Sequence, residues 1–291
     1  MRVTESRLIV IATDGVAKAR ERAADAGDAM SSGMRVSRPS QDGAAWAEGQ
    51  RAAAVTQISQ GRGSAMSRMK ERLDETDRAL GSIGDILGRA TELAVGLANG
   101  TYDAAARADA AVEVRTLRGA AIAAANTRAL DGEYILAGDR GAAAPFDAAG
   151  AYVGDAGERT IEIGEGQSAA LGVPGTTLTA ASGVDVFGVL DTLATALEAN
   201  DQVGVRAQLG DLQTSVAQVA RARVALGTRT NALTRADDAR TEFEQSLAER
   251  RSSAVEVDAV AAASDLSRAS AALESARASA TELIRLARGL G

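Results

Sequence analysis

The sequence predicts a mainly α chain. A long antiparallel helical rod or coiled coil forms from its N- and C-terminal parts, and a small β-rich domain is inserted in the middle. Three observations predict this. Both ends carry apolar residues at spacings of three and four. Only 2% of the 291 residues are aromatic and three are proline, so the 46% hydrophobic content points to thin Ala-rich helices rather than a thick core. Between residues 131 and 185 the hydrophobic period shifts from helical spacing toward two.

The N-terminal stripe runs Ile9, Ala12, Val16, Ala19, Ala23, Ala26, Met30. The C-terminal stripe runs Leu266, Ala269, Leu273, Ala276, Ala280, Leu283, Ala287, Leu290. Each set is the narrow seam of a coiled coil. Most seam positions are Ala, which buries far less than the ~1.5–3 kcal/mol of a buried Leu side chain. A two-stranded coil of this kind is weak, so the ends are expected to become stable only when neighbouring molecules pack around them. The expected assembly positions are Ile9, Val16, Ala23, Met30, Leu266, Leu273, Ala280, Leu283 and Leu290.

Pro39, Pro145 and Pro174 punctuate the chain. After the first, an unbroken register (Met66, Met69, Leu73, Thr76, Leu80, Ile83, Leu87, Ala90, Ala94, Leu97) predicts a helix from about 44 to 98, roughly 80 Å long at 1.5 Å per residue. Asn99-Gly100 should end it. A second helix is expected over 103–128, with Val114, Leu117, Ala121 and Ala124 inward, ending at Asp131-Gly132. Val186, Leu190, Leu193 and Leu197 predict a short helix broken near Asn200-Asp201. A long helix follows, with Val205, Leu209, Leu212, Val216, Val219, Leu226 and Leu233 inward, and continues through Phe243 and Leu247. The stripe from Val255 onward is compatible with an unbroken extension. In the middle, Glu133–Leu136, Ala151–Val153 and Thr160–Ile163 read as short strands, with Val173-Pro174 and Thr176–Thr179 as a further candidate. The expected domains are a terminal coiled-coil layer (1–35 and 255–291), a helical rod (36–130 and 186–254) and an outer β-rich domain (131–185).

Charge and composition exclude several function classes. The chain has neither Cys nor His, which removes disulfides, thiolate nucleophiles, imidazole bases and His-ligated metals. The formal charge is −7, and the 131–185 segment alone, with nine acids against Arg140 and Arg159, carries −7. An acidic segment on a neutral body opposes nucleic-acid binding, which requires a basic face. Leu8–Ala12 is too short to span a membrane or to serve as a secretory signal, so export would not use a cleaved signal peptide. The terminal stripes lack the Leu-rich or aromatic face and basic bias of a membrane-surface helix. No catalytic constellation, metal site or cofactor is expected. Gly61-Arg62-Gly63 lacks the context of a phosphate loop and suits close helix contact or a local break. Asp74, Glu75, Asp77, Asp237 and Asp238 read as solvated helix faces.

The segment from Ser31 to Ala45 differs in kind. Gly33 can cap the first helix, Pro39 prevents its continuation, and Ser40 or Asp42 can N-cap the next. Gly33, Arg35, Val36, Arg38, Pro39, Ser40 and Asp42 therefore read as an extended spoke between two coiled-coil layers. This Ser-Ser-Gly-Met-Arg-Val-Ser-Arg-Pro-Ser run resembles the corresponding region of the flagellar hook-associated protein 3 family, hook–filament junction proteins related to flagellin. Leu97–Thr101, Asp131–Gly138, Ala144-Pro145-Phe146 and Tyr152-Val153-Gly154 match in the family's order. Arg38-Pro39-Ser40 favours the junction protein over flagellins, which usually read Arg-Ile-Asn-Ser-Ala there. Two departures stand out: Gln41-Asp42-Gly43 replaces acid-acid-Pro, and the customary C-terminal Phe is missing.

The resemblance implies a non-enzymatic subunit of the bacterial flagellum, outside the cell, exported unfolded through the flagellar type III apparatus. The partners it implies are copies of itself in a ring, hook-associated protein 1, flagellin and a cytoplasmic export chaperone. Flagellin itself is the nearest alternative, and an intracellular coiled-coil scaffold a more distant one.

Overall fold

The computed structural model describes residues 2–289 except Thr101, Arg159, Glu165 and Leu171, and no side chain among residues 2–6, Leu8 and 287–289. The described residues form six α-helices, two short 3-10 turns and one two-stranded sheet. The helices are α1 (Arg2–Ser32), α2 (Gly43–Leu97), α3 (Ala104–Ala125), α4 (Val186–Glu198), α5 (Gln202–Val255) and α6 (Ala259–Gly289). The strands are β1 (Thr160–Gly164) and β2 (Gln167–Ala170). The chain divides into two compact units, Met1–Ser59 with Thr241–Gly291, and Gln60–Arg240.

In the 60–240 unit, the α2 register read from the sequence is buried throughout, from Met66 through Thr76 and Leu87 to Leu97. Val186, Leu190, Leu193 and Leu197 of α4 are buried with it, as are Val205, Leu212, Val219, Leu226 and Leu233 of α5. Three contacts fix the direction of α5 along α2. Arg240 lies over Gly63, Arg223 pairs with Asp77, and Arg206 donates to the Ala98 carbonyl at 3.0 Å. One helix ascends as the other descends, so the pair is antiparallel. A Cβ on Gly63 would sit 2.8 Å from the Arg240 guanidinium carbon. That glycine therefore serves close approach, not a break.

The end of α2 is held by a buried arginine. Arg107 donates to the Leu97 carbonyl (3.1 Å), the Asn99 carbonyl (2.8 Å) and Asn200 Oδ1 (2.5 Å). Orphan carbonyls at a helix C-terminus need such donors. Asn200 itself has φ +53°, where Asn is among the tolerated residues.

Several expectations are corrected. Helix α3 ends at Ala125, because Asn126 leaves the helix to clamp Phe146. Its Nδ2 donates to the Phe146 carbonyl at 2.9 Å, and Phe146 N–H donates back to Oδ1 at 3.0 Å. Glu133–Leu136 and Ala151–Val153 are not strands but carry isolated bridges, Arg128↔Tyr134 and Phe146↔Tyr152. Side-chain bonds such as Tyr152 Oη to the Leu136 carbonyl (3.1 Å) replace a ladder there. Residues Gly175–Leu178 form a 3-10 turn. Thr160–Ile163 is a strand, pairing antiparallel with 167–170, which the period-two reading missed. Val216 is exposed because Ser215 takes the buried position, its hydroxyl satisfied by the Asp211 carbonyl at 2.8 Å. Asp77 is not merely solvated: its carboxylate grips Arg223 in a two-point fork at 2.8 and 2.9 Å, which holds its pKa below the ordinary value.

Candidate functional site

In the other unit, α1 and α6 lie side by side. Near one end Val257 N–H donates to the Gly33 carbonyl at 3.0 Å, and Leu266 reaches Gly27. Far along the pair Ala12 and Ala280 are both buried. Early α1 thus meets late α6, and the helices run antiparallel. Ala12, Val16, Ala19, Ala23 and Ala26 of the α1 stripe, and Leu266, Ala269, Leu273, Ala276, Ala280 and Leu283 of the α6 stripe, are covered or half-covered, as are Gly27, Ala29, Ala262 and Ile284 outside the named stripes.

The cover is thin. Of the named assembly positions only Ala280 is buried. Val16, Ala23, Leu266, Leu273 and Leu283 are half-buried. Ile9 and Met30 are 40% and 42% exposed, beside exposed Val10 and Ile11. Leu290 lies outside the described residues, as does the Ala287 side chain.

The 33–42 segment connects this pair to α2. Gly33 takes φ +69°, the left-handed conformation that ends a helix and favours glycine, and its N–H reaches the Ala29 carbonyl. Met34 then bridges Glu256, while Arg35 and Val36 N–H groups both donate to the Val255 carbonyl at 2.8 and 3.1 Å. The Arg35 guanidinium adds a 2.6 Å bond to the Ala254 carbonyl and faces Asp42 at 3.5 Å. Beneath them Val36, Ala45 and Val255 are buried, with Met34 and Trp46 packed alongside. A Cβ at Gly49 would come within 2.7 Å of Val255 Cγ1, so α2 approaches this cluster closely.

The expected extended spoke is reduced to one isolated bridge at Met34. The chain then turns over 38–41, and Gln41 Oε1 plugs the turn by accepting from Ser37 N–H (2.7 Å) and Arg38 N–H (3.1 Å). Pro39 and Ser40 occupy the exposed turn, and Arg38 faces Asp28 at 3.5 Å. Of the two candidate caps Asp42 takes the role. Its Oδ1 accepts from Ala45 N–H at 3.0 Å, which, aided by Arg35, lowers its pKa below the ordinary carboxylate value. The sequence did not single out Val255, Gln41, Trp46 and Gly49 for this role. Nor is the helix continuous: α5 stops at Val255, whose carbonyl is taken by the 35–36 amides. Asp258 caps α6 by accepting from Val260 and Ala261 N–H.

Among the described residues no cluster of three or more His, Cys, Asp or Glu could hold a metal, and no helix is long and apolar enough to cross a membrane.

Residues 8–140, covering α1, the 33–42 link, α2, α3 and the following turn, match the model of the bacterial flagellin N-terminal helical region. The fold of the chain is shared with solved flagellar hook-associated proteins. One from Vibrio parahaemolyticus is 21% identical, aligning 74% of this chain with 100% of that one at a TM-score of 0.69. FlgL from Xanthomonas campestris (18%, 70% and 99%, 0.61) and from Bacillus cereus (20%, 72% and 100%, 0.59) align similarly. Each of those chains is covered almost completely, so the shared fold extends over their whole length. No match is found among curated protein sequences.

Proposed function

We propose that the chain is a structural, non-enzymatic subunit of the bacterial flagellum, seated at the hook–filament junction as the adaptor between hook-associated protein 1 and flagellin. The observation that carries this reading is the thin cover of the α1–α6 pair, against the deep burial within the 60–240 unit, in a fold shared with FlgL structures. Alanine-lined helices offset little of the ~1–2 kcal/mol per residue needed to order a backbone. Copies and adjoining ring proteins supply the missing cover, and ordering is coupled to assembly. Residues 1–35 and 255–291 form that axial layer, 36–130 and 186–254 the helical body, and 131–185 the acidic outer part. Export proceeds unfolded, through the flagellar type III route, with a cytoplasmic chaperone on the C-terminal region beforehand.

The flagellin-type region over 8–140 favours one alternative, a filament subunit. Hook–basal-body particles from a strain unable to make flagellin separate the two. The adaptor is expected in those particles, and purified chain should remain monomeric or form short oligomers. Absence from the particles together with growth of long filaments in vitro would establish the filament subunit instead.

A further inference from the structure

We propose that the 60–240 unit docks head to tail on a second copy of this chain, the outer stripe of α5 entering an acid-rimmed groove between α2 and α3. This inference deepens the subunit reading above and rests on it. The groove has a volume of about 440 Å³, with Leu93, Gly96 and Ala110 on its apolar side and Glu92, Asp109 and Glu113 around its rim. Arg89 bonds Glu113 at 2.8 Å and Glu92 at 3.3 Å, so the rim keeps an excess of negative charge, and Asp109 has no ion-pair partner among the described residues.

The complementary surface is on α5. Val219, Ala222, Leu226 and Leu233 face the core, and the opposite side presents Arg221, Val224, Thr228, Asn231 and Arg235, all exposed. Their spacings of three and four make one stripe. Val224 is 71% exposed, and neither Arg221 nor Arg235 has an ion-pair partner among the described residues. One valine flanked by an unpaired arginine matches an apolar groove edged by an unpaired carboxylate. Charge juxtaposition of this kind selects register and partner.

The two surfaces cannot meet within one molecule. Arg223 lies against Gly81, which puts the stripe level with the 63–81 stretch of α2, whereas the groove sits at 89–97. At 1.5 Å per residue they are offset by roughly 20 Å along the helix. Different patches on the two partners make a heterologous contact, which propagates into a ring or a helical turn instead of closing a dimer.

The cysteine-free sequence allows a clean trap. Gly96→Cys and Val224→Cys are introduced together, and flagella carrying the chain are oxidised. A Cβ at Gly96 meets open space, so the first change is tolerated. The expected result is a disulfide-linked ladder of this chain. Arg221→Glu should reduce it at least tenfold, and adding Asp109→Arg should restore it. The chain detected in the particles without a ladder, a ladder indifferent to Arg221→Glu, or cross-links to another flagellar protein in its place would each overturn the contact while leaving the subunit reading intact. Immunodetection of unmodified chain is the separate readout. Its absence from flagella overturns both.

Discussion

The α1–α6 pair and the α2 stripe of the 60–240 unit have the same apolar spacing and opposite degrees of cover. Met66, Leu73, Leu80, Ile83 and Leu87 are all 2% exposed or less, whereas Val16, Leu266, Leu273 and Leu283 are only half-buried and Ile9 is 40% exposed. Side-chain size explains part of the contrast, since the terminal seams are mostly Ala. The number of neighbours explains the rest. The α2 stripe shares one core with α3, α4 and α5, but α1 and α6 cover each other along a single line. A heptad pattern marks which face is apolar, and it leaves open how many elements cover that face.

The largest expected effect separates the regions in the monomer. Amide exchange should find residues 1–30 and 260–291 unprotected, with 65–97 and 205–250 protected by several orders of magnitude. Strong protection of the ends in a demonstrated monomer would break the contrast. Leu273→Asp or Leu283→Asp should correspondingly block incorporation into flagella and motility while leaving far-UV helicity intact. Wild-type incorporation of both variants would count against the seam.

Core truncation sharpens the same comparison. Leu80→Ala should cost about 2–5 kcal/mol in denaturant unfolding. Leu273→Ala, whose side chain is already half in water, should cost the monomer under about 1 kcal/mol. Equal costs would mean that the terminal pair is a finished core.

The apolar registers were legible because consecutive helical turns repeat them. That reading does not depend on leucine throughout: Met66, Thr76 and Ala90 serve in the α2 stripe as well as Leu73. The Gly33 cap was legible from residue type. The stop at Val255 was not, because its cause is a pairing with Met34, Arg35 and Val36, which lie far away in the sequence. Asp258 was an available signal, a cap residue before an Ala-rich run, and the continuing stripe masked it. Glu133–Leu136 and Ala151–Val153 failed as strands for a related reason, whereas Thr160–Ile163 held. Short alternating runs pinned by Asn126 and Tyr152 side chains look like strands locally, and only tertiary bonds distinguish them.

A smaller effect tests the link. Asp42→Ala removes an N-cap and should lower the urea midpoint of unfolding, whereas Asp42→Asn keeps an acceptor for the Ala45 N–H and should lower it less. Equal losses would assign the stabilisation to the charge facing Arg35 instead of to the cap.

The smallest expected effect concerns the Asp77–Arg223 fork. Both side chains are more than two-fifths exposed, so solvent screening keeps the pair below about 1 kcal/mol. The folded pKa of Asp77 is depressed below 3.8, chiefly by the Arg223 hydrogen bond. As pH falls through that range the unfolded chain therefore takes up its proton first. The contribution is complete above the unfolded pKa and disappears as pH drops through the lower folded value. Comparing wild type with Asp77→Asn by urea unfolding should give a small gap at neutral pH that closes on acidification and narrows with added salt. A gap independent of both would mean that the carboxylate acts by shape, as a hydrogen-bond acceptor that Asn reproduces poorly, and not by charge.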